Sequence, residues 1–217
     1  MFDTDTARRN MVDGQVRTAD VTNLDLIAAM LAIPRERFVP PALTEQAYLD
    51  GDISIAAGRA LLKPIVLARL IQAAAVEDQD HVLDVACGTG YSSAVLGRLA
   101  ASVVALEEDP ALARQAQDNL AATGAGDVTV ATAPLPAGWS KAAPYDLIFL
   151  NGAIEIAPET LGRQLRSDGR LVGVLGCGPA AKAMIYHLIE GQLVGRPLFD
   201  AAAPLLPGFA APQKFVF

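Results

Sequence analysis

The chain has 217 residues, 52% of them hydrophobic, and carries a formal net charge of −7 at pH 7. This length suits one domain with a large apolar core, and the negative charge argues against a broad electrostatic surface for nucleic acid. Two cysteines and two histidines, far apart in the chain, offer neither a disulfide framework nor the spacing of metal ligands, so we expect reduced thiols and no metal.

The first part of the chain predicts a helical extension. Thr22 or Asn23 can cap a helix whose apolar residues share one face, and Pro34 ends it. We therefore divide the chain into an N-terminal extension, residues 1–64, and a core, residues 65–217.

A loop joins the extension to the core. The stretch Gly58-Arg-Ala-Leu-Leu-Lys-Pro64 predicts this loop, and Arg59 and Lys63 are its bulky cations. A helix should begin at Pro64 and run through Ala75, because proline is well suited to the first helical turn.

The rest of the chain is organised around residues 81–91. An apolar strand runs directly into the turn Gly88-Thr89-Gly90, and helical spacing begins at Tyr91. A helix N-terminus after such a turn presents unpaired N–H groups and a positive dipole end, and glycine lets a ligand approach the main chain. The stretch therefore predicts a cofactor-binding turn.

Two acidic positions indicate which cofactor this turn holds. Asp84 lies shortly before the turn, where a carboxylate would repel a pyrophosphate but can hold a cationic amine. A second apolar strand, Ser102 to Leu106, ends in Glu107 and Glu108, where an acidic side chain hydrogen-bonds a ribose diol. Together these features resemble the S-adenosylmethionine site of Rossmann-like methyltransferases.

Strands and helices alternate after residue 81, which predicts a parallel, doubly wound sheet. A helix should begin at Asp109-Pro110 and reach Gly124, and Leu161 and Leu165 should belong to a later helix. The remaining predicted strands are 128–131, 145–150 and 170–175, followed by a terminal antiparallel set at 183–189, 192–199 and 213–217. Ligands of such sheets bind beyond the carboxyl ends of the strands, where Glu107, Leu135 and Asn151 are expected.

Several motifs, taken together, resemble the protein-L-isoaspartate O-methyltransferase family over residues 10–175. They are Met11-Val12-x-x-Gln15-Val16, Pro34-Arg-Glu-Arg-Phe-Val-Pro40, Ala47-Tyr48, Gly138-Trp139, Ala143-Pro-Tyr-Asp146 and Gln164-Leu165-x-x-x-Gly169-Arg-Leu-Val172. The resemblance implies an α/β, Rossmann-like methyltransferase fold. It also implies methyl transfer from S-adenosylmethionine to the side-chain carboxylate of isoaspartyl residues, a protein-repair reaction.

The resemblance also implies positions for the cofactor. Asp84, Gly88 and Gly90 should lie against its methionine part, and Glu107 should hold its ribose. We add four neighbours to the predicted cofactor site, with Leu135 packing on the adenine: Ala86, Tyr91, Glu108 and Leu135.

The chain departs from the family pattern at three places. The family's Thr-Ile-Ser-x-Pro loop is Ala60-Leu-Leu-Lys-Pro64 here, so Leu62 replaces the serine beside the reacting carboxylate. The family's Gly-Asp-Gly after the third strand appears as Ala133-Pro-Leu135, and its Thr-Ala-Ala after the fourth appears as Asn151-Gly-Ala153.

A carboxylate acceptor needs no general base, because it is already ionised at neutral pH. Catalysis then reduces to aligning the acceptor and excluding water, and we predict that Asn151, Lys63 and Arg59 orient it. Two alternatives stay open: a methyltransferase of this fold with a changed acceptor, and a non-catalytic S-adenosylmethionine-binding protein.

The expected partner is a protein or peptide that bears a carboxylate, and the oligomeric state is left open. No apolar run reaches the roughly 20 residues of a membrane span, and the N-terminus lacks a signal-peptide pattern. We therefore expect a cytoplasmic protein that binds neither membrane nor nucleic acid.

Overall fold

The computed structural model describes residues 2–125 and 128–212. Its strands, in chain order, are β1 Ile53–Ala56, β2 Arg59–Leu61, β3 His81–Val85, β4 Ser102–Glu107, β5 Val128–Thr132, β6 Tyr145–Ile154, β7 Leu165–Leu175, β8 Lys182–Ile189 and β9 Gln192–Asp200. Its α-helices are α1 Thr4–Met11, α2 Leu24–Ala32, α3 Pro64–Ala74, α4 Tyr91–Leu96, α5 Pro110–Ala122 and α6 Glu159–Gly162.

Seven of the described strands form one central sheet in the order β5-β4-β3-β6-β7-β8-β9. The pairs from β5 to β7 are parallel, and β8 and β9 add to the sheet antiparallel. The predicted α/β fold with a mostly parallel sheet and antiparallel C-terminal strands is therefore confirmed. The segment 213–217, predicted as a last strand, lies outside the described residues.

Helix ends follow the capping residues that the sequence offers. The Asn23 side chain accepts a hydrogen bond from Leu26 N, and the Asp109 side chain accepts from the backbone at the start of α5. Pro64 is the first residue of α3, and left-handed Ala75 terminates that helix. These local signals place all three helices within two residues of their predicted bounds.

The extension packs onto the same apolar core as the central sheet. Met11, Leu26 and Met30 belong to one buried cluster with Val82 of β3 and Val172 of β7. The division at residue 64 stays a prediction. Among the described residues, none of the helices has the length and apolar character that crossing a bilayer requires.

Three predicted boundaries were wrong. Arg59–Leu61 is not loop but the strand β2, which pairs antiparallel with β1. Strand β6 does not end before Asn151; it continues through a bulge to Ile154, because Ala153 exchanges hydrogen bonds with Pro204 and Leu206. The helix predicted through Leu165 ends at Gly162, and Leu165 already pairs with Tyr145 in the sheet.

Candidate active site

The turn between β3 and α4 has the left-handed backbone that its glycines allow. Gly88 and Gly90 have φ of +59° and +97°, and Ala86, the preceding turn residue, has φ of +66°. The N–H groups of Ala86 and Cys87 both donate to Leu106 O, at 2.9 and 3.1 Å, which ties the turn to the end of β4. The turn therefore lies at the carboxyl edge of the parallel strands, as predicted for a ligand site.

Asp84 is fully buried on β3 and belongs to a polar network beside this turn. Its Oδ2 accepts hydrogen bonds from Ser92 Oγ at 2.6 Å and Ser93 Oγ at 2.5 Å, and Asn151 Nδ2 donates to Ser92 Oγ at 2.9 Å. Within the described chain, Asp84 Oδ1 and Asn151 Oδ1 are both buried and have no hydrogen-bond partner. We call Asp84, Ser92, Ser93 and Asn151 the Asp84 network.

The two unpaired oxygens define what the Asp84 network can bind. A buried acceptor without a hydrogen-bond donor destabilises the folded protein by about 1–3 kcal/mol, so a ligand that donates hydrogen bonds to these oxygens removes this penalty on binding. A primary ammonium donates three hydrogens and accepts none. The network therefore fits a small cationic amine, with Asp84 supplying the opposite charge and Asn151 a neutral acceptor.

Burial also controls the protonation of Asp84. Loss of solvent raises the pKa of its carboxyl to about 7, although the hydrogen bonds from Ser92 and Ser93 oppose the rise. An approaching cation favours the ionised form and lowers this pKa. The neighbouring Cys87 thiol is also buried, and its pKa is raised well above the ordinary value, so it is a neutral packing group.

Glu107, at the end of β4, is completely buried and its carboxylate is saturated with donors. Oε1 accepts from Arg59 Nη1 at 2.5 Å and from the N–H groups of Glu108 and Asp109 at 3.0 and 3.1 Å. Oε2 accepts from Arg59 Nη2 at 2.7 Å and from Gly88 N at 2.9 Å. These five donors exceed the roughly four lone-pair positions of a carboxylate.

Arg59 reaches Glu107 from the hairpin of β1 and β2, which covers the glycine turn. Only 7% of Arg59 is exposed. A Cβ placed on Gly88 would lie 2.6 Å from Ile55 Cδ1, so the hairpin packs directly on the main chain of the turn. The sequence predicted Arg59 at an acceptor carboxylate; the structure places it on the carboxylate predicted to hold the ribose.

The remaining predicted cofactor residues lie on two sides of this turn. Glu108 Oε2 accepts from Leu135 N at 3.4 Å, and the Leu135 side chain is fully buried. Tyr91 is also fully buried, but its ring packs edge-on against Phe38 with Arg35 4.7 Å from its centroid, so it faces the extension. Ala86, Glu108 and Leu135 are thus beside the turn, whereas Tyr91 is a core residue.

Lys63 lies apart from the Asp84 network. Its backbone N–H donates to Asp52 Oδ1 at 2.8 Å, and its side chain lines a cleft of about 240 Å³ at the start of α3. Arg69 lines the same cleft with its guanidinium 3.8 Å from the ring centroid of Phe199. Asn151 does not line this cleft, so the structure separates two residues that the sequence grouped as acceptor-orienting.

Sequence reasoning missed Ser92 and Ser93, which connect Asp84 to Asn151. Both are buried in the first turn of α4 among apolar neighbours. The sequence feature that could have revealed them is a pair of hydroxyl side chains, eight and nine residues after Asp84, in a short helix whose other residues are mostly apolar. Gln164 was named only as part of a family motif; the structure shows that its side chain is buried, accepts from Trp139 N at 2.9 Å and donates to Ala137 O at 2.8 Å.

Comparison with known proteins identifies the family. The model of the family described as protein-L-isoaspartate(D-aspartate) O-methyltransferase matches residues 7–190. The protein-L-isoaspartate O-methyltransferase of Methylorubrum extorquens is 40% identical over 195 residues, which cover 90% of this chain and 83% of that protein. The chain belongs to this family. The protein of the same name from Pelotomaculum thermopropionicum is 38% identical over 169 residues, which cover 78% of this chain and 74% of that protein.

Solved structures of the protein-L-isoaspartate O-methyltransferase type share the fold. One superposes with a TM-score of 0.79 at 22% identity and covers 93% of this chain and 66% of that chain. Another, from Plasmodium falciparum and in complex with S-adenosyl-L-homocysteine, has a TM-score of 0.77 at 18% identity. The match covers 95% of this chain and 99% of that chain. The predicted Rossmann-like methyltransferase fold is confirmed.

The segment 60–64, which the sequence matched to the family's Thr-Ile-Ser-x-Pro motif, is held from inside the molecule. Leu62, at the position of the family's serine, is buried with 1% exposure, and its carbonyl accepts from Arg35 Nη2 at 2.7 Å. Arg35 is itself fully buried and also donates to Ala47 O at 2.7 Å. The loop is therefore anchored from inside the extension by a guanidinium.

Proposed function

We propose that this protein is an S-adenosylmethionine-dependent protein-L-isoaspartate O-methyltransferase. It methylates a carboxylate of isoaspartyl residues in damaged proteins. The observation that carries the proposal is the Asp84 network, with two unpaired acceptor oxygens beside a glycine turn at the ligand edge of the sheet. Family membership supports the same reaction.

The residues present fit S-adenosylmethionine at its amino-acid end. Asp84 Oδ1 and Asn151 Oδ1 would accept from its ammonium group, and the glycine turn would pass close to its methionine part. Glu108 and Leu135 lie where they can border its adenine. At the ribose end, Glu107 would hold the diol, and Arg59 occupies that carboxylate in the structure.

In this reaction the main task of the protein is to position the cofactor methyl group and the acceptor carboxylate. When bound, S-adenosylmethionine supplies an electrophilic methyl group on a sulfonium. An acceptor carboxylate is ionised at neutral pH, so this chain need not provide a base. Asp84, Glu107 and Asn151 are all buried, and we propose that this burial keeps water from the site and that Asn151 orients the acceptor. Lys63 lines a separate cleft at the start of α3, so its role in orienting the acceptor stays a prediction.

A direct assay tests the proposed function. The purified protein is incubated with labelled S-adenosylmethionine and two matched peptides, one with isoaspartate and one with normal aspartate, and base-labile methyl ester is measured. We expect ester only with the isoaspartyl peptide, and at a subsaturating cofactor concentration we expect at least about tenfold less ester from Asp84→Asn. Cofactor binding without any ester would overturn the acceptor assignment and favour a changed acceptor, for which buried Leu62 is the structural reason.

We further propose that the protein acts in the cytoplasm in protein repair. Cys87 and Cys177 are both free thiols, and Cys177 is exposed, which suits a reducing compartment. Fractionation of the source cells tests this, because recovery of the protein outside the cytoplasmic fraction would contradict it.

A further inference from the structure

The strongest unexplained feature of the site is the ion pair between Arg59 and Glu107. Three of the five donors to Glu107 are backbone N–H groups of Gly88, Glu108 and Asp109, which belong to the turn and to the start of α5. Arg59 alone comes from another part of the chain, 48 residues away. It is the one donor that can leave without changing the Rossmann-like core.

The hairpin that carries Arg59 is built as a separate element. Strands β1 and β2 pair with each other, and among the described strands neither joins the central sheet. Gly58 lies at the tip with φ of +67°, and the register slips between Ser54 and Ala56. Ile55 and Arg59 of this 53–61 hairpin both contact the ligand-binding turn or its carboxylate.

We propose that Arg59 is an intramolecular competitor of the cofactor, and that the 53–61 hairpin is a latch that must release Glu107 before a ribose diol can bind. This inference rests on the proposed function. Glu107 is fully buried and already accepts five hydrogen bonds, more than the roughly four lone-pair positions of a carboxylate, so the diol should displace a present donor instead of adding to them. Binding therefore includes the work of breaking a bidentate, charge-assisted pair.

The latch makes a quantitative prediction for Arg59→Gln. Glutamine keeps a polar side chain but removes the charge and the two-pronged contact, so less work is needed to free Glu107. We expect Arg59→Gln to bind S-adenosylhomocysteine at least tenfold more tightly than the wild type. A tenfold change corresponds to about 1.4 kcal/mol of binding free energy.

A second buried pair provides the matched control. Arg170 Nη2 lies 2.6 Å from Asp80 Oδ2, and both side chains are largely buried, though more exposed than those of Arg59 and Glu107. Asp80 directly precedes β3, so this pair lies at the opposite end of that strand from the glycine turn. Arg170→Gln removes the same kind of ion pair without touching the hairpin. It should be less stable than the wild type and bind S-adenosylhomocysteine with the wild-type affinity.

Isothermal titration calorimetry of the three proteins with S-adenosylhomocysteine tests the latch. Tighter binding by Arg59→Gln alone supports it. If the wild type binds and Arg59→Gln binds equally or more weakly, the latch is wrong while the proposed function stands. If neither binds, the cofactor assignment fails, and the latch fails with it.

A crystal structure of the wild-type protein with S-adenosylhomocysteine tests the same inference even if Arg59→Gln does not fold. We expect the ribose diol on Glu107 and the Arg59 guanidinium displaced beyond hydrogen-bond distance. A complex in which Arg59 still forms its two hydrogen bonds with Glu107 would overturn the proposal.

Discussion

Replacing Asp84 by asparagine should stabilise the ligand-free protein at neutral and alkaline pH. In the unfolded chain this carboxyl has a pKa of 3.8, and in the folded protein burial raises its pKa to about 7. Between these values the folded state holds a proton that the unfolded state has released. The free energy of unfolding therefore falls as pH rises through this window, by about 4 kcal/mol at 1.36 kcal/mol per pKa unit.

Asp84→Asn should also weaken cofactor binding. The variant should therefore be more stable than the wild type without ligand but bind the cofactor less tightly. We propose that the ammonium of S-adenosylhomocysteine binds the ionised form of Asp84, so wild-type affinity should rise as pH increases through about 7 and level off above that. Asparagine cannot supply the charge. At pH 7.5 we expect Asp84→Asn to bind about 10- to 100-fold more weakly, the loss of one charge-assisted hydrogen bond.

Urea denaturation and calorimetry at pH values from 5 to 8 measure both effects. The difference in unfolding free energy between Asp84→Asn and the wild type should grow with pH in favour of the variant. Ser93→Ala is the matched control, because it keeps the carboxyl but removes a hydrogen bond that lowers its pKa, so its titration should move to higher pH. A stability difference that does not change with pH would refute the assignment of a neutral buried Asp84.

Three further substitutions test the framework of the site by chemical denaturation. Gly88→Ala should cost at least about 2 kcal/mol, because the residue is left-handed and its new Cβ would meet Ile55; wild-type stability would contradict the turn geometry. Leu62→Ser should lower the free energy of unfolding by about 3 kcal/mol, because it opens a cavity in the core. The control is Leu24→Ser at an exposed leucine; if Leu62→Ser lost less stability than this control, Leu62 would not be buried. Gln164→Ala should cost about 2 kcal/mol by unpairing Trp139 N and Ala137 O, and Gln164→Glu should cost at least as much at pH 7, because its carboxylate would be buried against the carbonyl oxygen of Ala137; an unchanged stability in either variant would contradict these contacts.

Local chemistry made much of the fold predictable. The helix starts at Asn23, Pro64 and Asp109 follow from caps and prolines, which act within one turn of the chain. The parallel sheet follows from apolar strands that alternate with helices, and the glycine turn marks its ligand edge. These signals depend on neighbours in sequence, so no tertiary contact was needed to interpret them.

The wrong boundaries all depend on distant partners. Strand β2 is only three residues long, and its pairing with β1 supplies hydrogen bonds that its own composition does not predict. Strand β6 extends past Asn151 because residues near 205 pair with Ala153, and Gly152 leaves room there for Leu206. A single sequence carries little information about which remote segment will satisfy a given backbone group.

Asp84 and Glu107 show why the state of the site is harder to predict than its residues. Both carboxylates lie on adjacent parallel strands at the ligand edge, and both are completely buried. Asp84 has one oxygen without a hydrogen-bond donor, because Ser92 and Ser93 of α4 reach only Oδ2. Glu107 has five donors, because the hairpin adds two from Arg59 to three backbone N–H groups. The number of donors on each oxygen, set by residues up to 48 positions away, leaves Asp84 open to a cation and pairs Glu107 with one, and these are the carboxylates that we propose for the ammonium and the ribose of the cofactor.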